Sequence, residues 1–485
     1  MTDLDLRNNR VPNAVRGGVG HVHLIAICGV AMAALAGMLK EKGYRVTGSD
    51  EGVYPPMSTL LEGLGITLCE GYGGANLDDA PDLVVVGNKV SRNNPEVEAM
   101  LDRNLPFVSL PQALAELFLA DREPLVVAGT HGKTTSTAML AWVLETAGLD
   151  PSVLVGGHAL DFGGNYKLGS GRHFVLEGDE YDTAFFDKGP KFLHYRPRAV
   201  LLNAVEFDHA DIYRDLDHVK QSFRSLARIL PAGAPAVVAA DFPHAIDVFA
   251  DVKTTTFGLV DGAEGRAVGM HDTGAESVFA IEHEGRKVAE ARLPSPGAIN
   301  VRNALGVYVL ARAIGVDAAA ILEGLRTFRG VARRQQPLGE PGGVTVIDDF
   351  AHHPTAVAGA IAALRGRYPD RRLWAVFEPR SNTSRRKVFQ REYVEAFAAA
   401  DAVIIGGVLR KDSDAVADDD QFSPEQLAAD LVRRGAHALA LDEADAIAAH
   451  LARDCRPGDV VLLMSNGSFG GLAGKLLRAL DEKRG

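Results

Sequence analysis

The sequence predicts an α/β protein with three domains. Short aliphatic and β-branched runs recur along the chain, and each is followed by a Gly-, Asn- or Asp-containing turn and then by a helical pattern. Such alternation is typical of parallel sheets covered by helices. The runs fall into three groups, and a chain of 485 residues is expected to form about three domains.

Each group is predicted to supply the strands of one sheet. The first comprises 22–27, 45–47 and 83–86, the second 125–128, 174–176, 199–202 and 236–239, and the third 344–347, 373–377, 402–405 and 460–464. Residues 251–293 alternate more weakly, which suggests a β-rich part of the second domain.

Two segments between the groups are expected to be linkers. One is ADREP at 120–124, and the other is the Arg-, Gly- and Pro-rich segment 328–343. The predicted order is a flexible extension, a Rossmann-like domain, a central P-loop domain with a mixed sheet, and a Rossmann-like C-terminal domain. Their predicted bounds are 1–20, 21–120, 121–328 and 329–485.

The composition is that of an ordinary globular protein, with 47% apolar and 24% charged residues. A net charge of −12 argues against a nucleic-acid or anionic-membrane binder. Cys28, Cys69 and Cys455 show no C-x-x-C spacing, so neither a disulfide framework nor a zinc site is expected. Because no apolar run has the length of a signal peptide or membrane span, we expect a cytoplasmic protein, as a monomer or weak homodimer.

Residues 126–135, VVAGTHGKTT, combine an apolar strand, a glycine turn and the start of a helix. Backbone N–H groups of such a turn form an anion site, Lys133 can reach the phosphates of a nucleotide, and Thr134 can ligate Mg²⁺. The common G-x-x-x-x-G-K-[ST] spacing would need a glycine where the chain has Val127. An ordinary turn is the alternative, but the coincidence of two glycines, a lysine and two threonines favours a nucleotide site.

Acidic, amide and imidazole groups follow two further strands predicted for this domain. They are Glu177, Asp179, Glu180 and Asp182 after 174–176, and Asn203, Glu206, Asp208, His209 and Asp211 after 199–202. Carboxyl ends of parallel strands share one edge of a sheet, so both clusters are expected near Thr134, in company that suits Mg²⁺. Each residue alone could cap a helix or solvate a loop; two clusters at strand ends of one domain favour a metal site.

These motifs resemble those of the Mur ligases, ATP-dependent amide-forming enzymes of peptidoglycan synthesis. The phosphate loop of that family reads G-T-[HN]-G-K-[ST]-[ST], and residues 129–135 match it at every position. The resemblance runs from about residue 21 to the C-terminus. It includes EGDEYD (177–182), NAVEFDHAD (203–211), NVRNA (300–304), ARR (332–334), DDFAHHPT (348–355) and MSNGSFGG (464–471).

The resemblance implies domains that bind, in order, a UDP-sugar, ATP and the incoming amino acid or peptide. It implies that Lys133 holds the transferred phosphate and that Thr134 and Glu177 ligate one Mg²⁺, with His209 at a second. The remaining implied ATP contacts are Gly129, Thr130, His131, Gly132 and Thr135 in the loop, Asn300 and Asn303 at the adenine, and Arg334 and Asp349 at the phosphates and ribose. Ile299 stands where the adenine motif G-x-H-N-x-x-N has histidine, so fewer adenine contacts are expected.

The first strand runs into AICGVAM, residues 26–32. Alone, this turn suggests a dinucleotide site, but only one of the expected glycines is present, so an oxidoreductase is weakly supported. Mur ligases that use UDP-N-acetylmuramate carry a related turn, a GSD like residues 48–50, and an element similar to GNKVSRNNPEV at 87–97. The resemblance therefore assigns the UDP-sugar contacts to Gly29, Ser49, Asp50, Asn88 and Arg92.

Within this group, the incoming substrate is either L-alanine or the recycled tripeptide L-alanyl-γ-D-glutamyl-meso-diaminopimelate. The stretches YDTAFFDK (181–188) and EPRSNT (378–383) resemble the tripeptide enzymes. The alanine-adding enzymes have a basic H-R-x-S-R where this chain has residues 380–384, and a tyrosine in place of Phe350. The tripeptide is therefore favoured. The expected peptide contacts are His352, Arg380, Ser381 and Asn382.

The implied reaction activates a lactyl carboxylate as an acyl phosphate, which the peptide amine then attacks. The expected catalytic residues are Lys133, Glu177, His209 and His352. His352 or His353 is the candidate base, although a histidine before Pro354 can instead position the start of a helix. The rival functions are a P-loop hydrolase or switch and a non-catalytic nucleotide or UDP-sugar sensor.

Overall fold

The computed structural model describes residues 18–54, 57–408 and 420–483, which fall into two compact units. The first unit holds the described residues up to Val205, with Asp217–Thr255 and Val309–Gly324. The second holds Glu206–Leu216, Thr256–Tyr308 and the described residues from Leu325 onward. Residues 1–17 of the predicted extension lie outside the described residues. In the described part of the chain, no helix is both long and apolar enough to cross a membrane.

The N-terminal part of the first unit is a parallel sheet with helices between its strands. Its elements are β1 (His21–Ile25), α1 (Val30–Glu41), β2 (Arg45–Asp50), α2 (Met57–Gly63), β3 (Thr67–Glu70), β4 (Leu83–Val86), α3 (Pro95–Asp102), β5 (Phe107–Ser109) and α4 (Leu110–Leu117). The strand order is β3-β2-β1-β4-β5, and every neighbouring pair is parallel. This is the order of a Rossmann-like half-sheet, as predicted, with its switch point between β1 and β4.

The chain continues into a mixed sheet that carries the phosphate loop. The next elements are β6 (Glu123–Ala128), α5 (Lys133–Thr146), β7 (Ser152–Ala159), β8 (Gly164–Lys167), β9 (His173–Gly178), β10 (Asp182–Ala184), β11 (Asp187–Pro190), β12 (Ala199–Leu202), α6 (Leu216–Ile229), β13 (Ala236–Ala239) and α7 (Pro243–Val248). Strands β13-β12-β6-β9-β7 are parallel, β8 pairs antiparallel with β7, and β10 and β11 form a separate hairpin. The mixed sheet predicted for this region is confirmed.

The β-rich segment predicted at 251–293 is also confirmed. It forms β14 (Thr255–Gly258), β15 (Gly265–Asp272), β16 (Ser277–His283) and β17 (Arg286–Leu293), followed by α8 (Ala298–Ala313) and α9 (Ala318–Thr327). The last three strands are antiparallel neighbours.

The C-terminal part of the second unit is a doubly wound sheet. Its elements are β18 (Gln336–Gly339), β19 (Thr345–Asp349), α10 (Pro354–Arg367), β20 (Leu373–Phe377), α11 (Gln390–Ala396), β21 (Ala402–Gly406), α12 (Pro424–Arg433), β22 (His437–Leu441), α13 (Ala444–Asp454), β23 (Val460–Met464) and α14 (Leu472–Glu482). The order is β18-β19-β23-β20-β21-β22, with only β18 antiparallel. The loops that follow β19, β23 and β20 therefore leave the sheet side by side.

Alternate residues of β20 face opposite helical layers. Leu373, Ala375 and Phe377 pack with α10, α11 and α12, whereas Trp374 and Val376 pack with α13 and α14. All five side chains are buried. Because both faces are covered, the strand reads as a continuous apolar run instead of alternating.

Both predicted linkers are wrong in part. Glu123 and Pro124 begin β6, so the first linker is shorter than 120–124. Within 328–343, Gln336–Gly339 forms the edge strand β18, which tolerates Pro337 because an edge strand needs ladder bonds on one side only. Other strands that the sequence did not predict also lie at sheet edges, such as β3, β8 and β22, where the apolar pattern is weak. The three predicted domain boundaries differ from the two-unit division and stay a prediction.

Candidate active site

The phosphate loop lies between the end of β6 and the first turn of α5, in the first unit. Gly129 has φ +125°, and Gly132, just before the helix, has φ +79°. A Cβ at Gly129 would lie 2.8 Å from the carbonyl oxygen of Ala204, and the amide of Thr130 donates to the same oxygen at 2.6 Å. The loop is therefore pressed against the end of β12, which requires a residue without a side chain. The helix beyond it starts at the loop, as an anion site needs.

Lys133 forms a buried ion pair with Glu180. Its Nζ lies 2.8 Å from Oε2 and 3.1 Å from Oε1, and the two side chains are 12% and 1% exposed. Burial opposes the charged ammonium, but the charges of Glu180, Asp179 and Glu177 outweigh burial and raise the pKa of Lys133. The lysine is therefore held as a cation beside the phosphate loop.

Thr134 and Glu177, the predicted ligands of one metal ion, lie together. Thr134 Oγ1 donates to Glu177 Oε1 at 3.0 Å, and the amide of Gly156 donates to Oε2 at 2.7 Å. A Cβ at Gly156 would lie 2.8 Å from that oxygen, so a glycine lets β7 approach the carboxylate. A hydroxyl and a carboxylate oxygen beside a phosphate loop match the few protein ligands that Mg²⁺ takes. Thr134 and Glu177 therefore suit the coordination of Mg²⁺.

In the second unit, Asp349 and Arg334 stand at the end of β19. The carboxylate of Asp349 accepts the amides of Ala351 at 2.7 Å and Gln335 at 2.8 Å. Burial raises the pKa of Asp349, and the charge of Arg334 and the two amides offset only part of that effect. The guanidinium of Arg334 lies 4.6 Å from the centre of the Phe350 ring. A carboxylate and a cation thus lie close to the carboxyl end of β19, and their contacts with phosphates and ribose stay a prediction.

Residues 206–211 belong to the second unit, where C-terminal side chains bind them. Thr355 Oγ1 donates to Glu206 Oε1 at 3.0 Å, and His353 Nε2 lies 3.2 Å from the carbonyl oxygen of Phe207. His353 is also the N-cap of α10, with Nδ1 accepting the amide of Thr355 at 3.3 Å. The helix-positioning role considered for His353 is therefore confirmed.

His352 faces oxygen atoms with both ring nitrogens. Its Nδ1 lies 3.0 Å from the carbonyl oxygen of Phe350, and its Nε2 lies 3.8 Å from Asp208 Oδ2. Burial acts to raise the pKa of Asp208, but the neighbouring side chain of His352 and the charges of the nearby imidazoles hold it well below its usual value. A general base must present a nitrogen lone pair to its proton, so this arrangement favours His352 as a partner of the anion. Its role as base stays a prediction.

Arg380 is positioned by the loop that follows β23. Its guanidinium lies directly over Gly467, where a Cβ would collide with it. Arg380 Nη1 lies 3.5 Å from Glu378 Oε1, and Glu378 also accepts the hydroxyl of Ser465. The arginine is partly exposed and oriented, as a contact for a peptide carboxylate should be.

The side chains of Ser381 and Asn382 bond within the protein. Ser381 Oγ accepts the amide of Ser384 at 2.9 Å, and Asn382 Nδ2 donates to Asp211 Oδ2 at 2.7 Å. Both side chains are therefore engaged within the protein, whereas Arg380 is partly exposed. The peptide contacts expected of Ser381 and Asn382 stay a prediction.

The predicted adenine residues lie in the first turns of α8. Asn300 and Asn303 are buried, and Asn300 Nδ2 donates to the carbonyl oxygen of Pro296 at 3.0 Å. Ile299, which replaces the family histidine, packs on α10, where its Cδ1 would lie 3.4 Å from a Cβ at Gly359. The substitution therefore exchanges a polar group for an apolar helix contact.

The predicted UDP-sugar residues gather at the switch point of the first sheet, with one exception. Gly29 is the exposed N-cap of α1, and Asp50 accepts the amide of Cys28 at 2.9 Å. Ser49 is completely buried, and its hydroxyl donates to Glu96 at 2.9 Å, so its side chain serves the domain interior.

The other two predicted contacts follow β4. Asn88 Nδ2 donates to the carbonyl oxygen of Asp182 at 2.5 Å, and Arg92 is exposed. Asn88 thus links this loop to β10, the strand that begins just after Glu177 and Glu180.

Sequence reasoning missed the partner of Lys133. Glu180 lies in the predicted acidic cluster, but spacing alone does not tell which of its carboxylates turns toward the lysine. The contacts of Glu378 and Thr383 were also missed. Both residues lie in the stretch 378–383, but its resemblance does not tell that Glu378 bonds Ser465 or that Thr383 bonds the amide of Ala210.

Three parts of the chain match three domain models of one family. Residues 21–122 match the Mur ligase family catalytic domain, residues 127–311 the Mur ligase middle domain, and residues 333–467 the Mur ligase glutamate ligase domain.

Similarity also extends over whole proteins. The chain is 40% identical over 468 residues, 96% of its length and 100% of the relative, to the UDP-N-acetylmuramate–L-alanyl-gamma-D-glutamyl-meso-2,6-diaminoheptandioate ligase of Haemophilus influenzae. It is 35% identical over 480 residues, 96% of each protein, to the UDP-N-acetylmuramate–L-alanine ligase of Variovorax paradoxus. A murein peptide ligase crystal structure from Psychrobacter arcticus 273-4 matches with a TM-score of 0.71 at 35% identity, covering 96% of this chain and 99% of that one. The chain therefore belongs to the Mur ligase family.

Proposed function

We propose that this chain joins UDP-N-acetylmuramate to the tripeptide L-alanyl-γ-D-glutamyl-meso-diaminopimelate in an ATP-dependent ligation. The products are the UDP-N-acetylmuramoyl tripeptide, ADP and phosphate. The name of the Haemophilus influenzae relative supports this substrate pair, and family membership supports ligase chemistry. The reaction returns a recycled peptide to the cytoplasmic precursor pool.

The observation that carries the proposal is the pair of contacts at the phosphate loop. Lys133 is held as a cation by Glu180, and Thr134 and Glu177 present two oxygens 3.0 Å apart at the same helix end. A carboxylate becomes reactive toward an amine only when one of its oxygens becomes a leaving group. The lactyl carboxylate therefore attacks the γ-phosphate of ATP, and ADP leaves. Both reactants are anions, so charge neutralisation and alignment are the main tasks of the site.

Thr134 and Glu177 would hold one Mg²⁺, and His209 is assigned to a second. When bound, Mg²⁺ would neutralise phosphate charge during the attack on the γ-phosphate. Lys133 contacts the transferred phosphate, and the loop amides from Gly129 to Thr135 hold the rest of the triphosphate. Asn300, Asn303, Arg334 and Asp349 are assigned to the adenosine and phosphates.

The second step is the attack of the peptide amine on the acyl carbon, with loss of phosphate. The amine must lose a proton, and His352 is the candidate base, with Asp208 beside its Nε2 to stabilise the imidazolium that would form. Arg380 is the candidate contact for a carboxylate of the peptide. Gly29, Asp50, Asn88 and Arg92 are assigned to the UDP-sugar, which brings the lactyl carboxylate to the loop.

The alternative acceptor is L-alanine. The similarity to an alanine-adding relative is lower, 35% against 40% identity, and residues 380–384 lack the basic pattern of those enzymes. The tripeptide carries several carboxylates that L-alanine lacks, so a partly exposed arginine over Gly467 suits the larger acceptor better.

The discriminating experiment compares the two acceptors. Purified protein with ATP, Mg²⁺ and UDP-N-acetylmuramate is assayed for phosphate release and product mass with either tripeptide or L-alanine. We expect kcat/KM for the tripeptide to exceed that for L-alanine by about 100-fold or more, because a site that pairs charged groups rejects a ligand lacking them. Equal or faster turnover with L-alanine would overturn the choice of acceptor. Phosphate release that needs neither acceptor nor UDP-sugar would point to a hydrolase.

A further inference from the structure

His209 has an uncommon backbone conformation that its surroundings hold in place. Its φ is +55°, in the left-handed region. Its amide donates to Asp208 Oδ1 at 2.7 Å, and its carbonyl oxygen accepts the amides of Ile212 at 2.9 Å and Tyr213 at 3.0 Å. A non-glycine residue stays in this region only where neighbouring bonds fix it, and such positions concentrate at functional sites.

Thr383 supplies a further bond from the C-terminal part of the same unit. Its Oγ1 accepts the amide of Ala210, the residue after His209, at 3.1 Å, and the threonine is 3% exposed. The neighbouring Asn382 donates to Asp211 at 2.7 Å and accepts from Arg385 at 2.9 Å. Two consecutive side chains therefore bind the two residues that follow His209.

The segment around His209 has no regular secondary structure to fix it. Residues 203–209 are neither helix nor strand, so their backbone groups depend on partners elsewhere in the protein. Thr383 is buried and its hydroxyl already accepts the amide of Ala210, which argues against a direct contact with the peptide substrate. This bond instead fixes the backbone immediately after His209.

We propose that Thr383 is a positioning residue for His209, holding the imidazole in the orientation that metal ligation needs. The inference rests on the proposed function, which assigns His209 to a metal ion. It also gives the loop 380–384 two roles: Arg380 faces the acceptor, while Asn382 and Thr383 hold the metal-ligating segment. The arrangement of the acceptor loop is thereby tied to that of the metal site.

The test compares two variants of Thr383. Thr383→Val removes the hydroxyl that accepts the amide of Ala210 but keeps the shape of the side chain, and Thr383→Ser keeps the hydroxyl. Mn²⁺ binding to the full-length protein with ADP is followed by electron paramagnetic resonance, and His209→Ala identifies the signal that depends on the imidazole. We expect Thr383→Val to weaken that Mn²⁺ site about 10-fold, as loss of an outer-shell partner of a metal ligand does. The tripeptide KM should stay within about twofold, and Thr383→Ser should match the wild type.

The double variant Thr383→Val/His209→Ala should bind Mn²⁺ no more weakly than His209→Ala, because the threonine acts through the imidazole. Gln426→Ala is the matched control, since it removes a 2.9 Å amide–carboxylate bond to Asp430 in the same unit and should change nothing. If His209→Ala leaves Mn²⁺ binding intact, the metal assignment fails and this inference fails with it. If His209→Ala weakens binding but Thr383→Val does not, or Thr383→Val raises the peptide KM instead, only the positioning role is overturned.

Discussion

Lys133 Nζ and Glu180 Oε2 lie 2.8 Å apart in an ion pair that is almost completely buried at the start of α5. The pair holds Lys133 as a cation beside the phosphate loop. Under the proposed function, a phosphate oxygen of ATP would share or replace the carboxylate as the partner of the ammonium. The acidic cluster at the end of β9 thus orients the lysine and, under the proposed function, would also supply a metal ligand.

Replacing Lys133 with methionine should separate catalysis from stability. We expect turnover to fall about 10³-fold, because the transferred phosphate loses its cation. Unfolding free energy should fall by about 3 kcal/mol, because Glu180 is left buried without this partner. Adding Glu180→Gln should restore most of the stability and none of the turnover, as read by denaturant titration and phosphate release. Restored turnover in the double variant would rule out the role given to Lys133.

Thr134→Val should raise the Mg²⁺ requirement of the reaction. The variant keeps the shape of the side chain and removes the hydroxyl that meets Glu177 at 3.0 Å. We expect kcat to fall about 100-fold at 5 mM Mg²⁺, within the range for loss of one group in an electrostatic site. Thr134→Ser serves as the control and should retain most activity. The measurement is a Mg²⁺ titration of phosphate release; an unchanged titration curve for Thr134→Val would argue against metal binding here.

Replacing Asp187 with asparagine should lower the stability of the β10–β11 hairpin at neutral pH. Burial acts to raise the pKa of Asp187, but His194, whose Nε2 lies 2.7 Å away, and the amide of Gly189 lower it. Because the folded pKa lies below the unfolded value of about 3.9, the stabilisation is present above about pH 4 and is lost as the pH falls through the folded pKa.

The free energy of unfolding of the variant should therefore differ from that of the wild type by about 1 kcal/mol at pH 7, and by much less once the pH has fallen below the folded pKa of Asp187. Hydrogen exchange of residues 182–190 at several pH values measures the difference locally. A gap between the proteins that widens toward acid would contradict the sign of this effect.

Phe186→Ala should weaken UDP-sugar binding from a distance. Its ring packs edge-on against Phe107 at 5.0 Å, which joins the hairpin after Glu180 to the first sheet within one compact unit. We expect a loss of about 1–2 kcal/mol of stability and a severalfold weaker Kd for UDP-N-acetylmuramate, measured by calorimetry without ATP. Phe162→Ala, which breaks the 5.9 Å ring pair with Trp142, is the control. Phe162→Ala should lower the free energy of unfolding by a similar amount and leave the Kd unchanged. Equal effects of the two variants on the Kd would contradict a specific role of the β10–β11 hairpin in UDP-sugar binding.

Local pattern predicted the parts of the site that lie on neighbouring strand ends. Lys133 and Thr134 follow β6, and Glu177 ends β9, and these strands are parallel neighbours. Any parallel sheet brings such ends together, so the residues could be grouped before the fold was seen. The choice of Glu180 as the lysine's partner could not, because it depends on the path of the chain after β9.

The helix start at His353 and the shorter first linker illustrate the same division. A histidine before proline is compatible with a cap or a base, and only its 3.3 Å bond from Thr355 identifies the cap. Glu123 and Pro124 resemble a linker by composition, but pairing with β9 makes them strand. Propensity is a weak local preference, and hydrogen bonds to distant strands override it.

The sequence by itself determined the α/β class, the strands buried on both faces, the phosphate loop and the family. Each of these follows from residues close together in the chain, through apolar periodicity, glycine conformation or an unbroken motif. The tertiary structure decided three contacts: the ion pair of Lys133 with Glu180, the hydrogen bond of the buried Ser49 to Glu96, and the bond of Thr383 to the amide of Ala210. Those contacts join residues that are far apart in sequence, and their free energy depends on burial and distance, neither of which exists until the chain has folded.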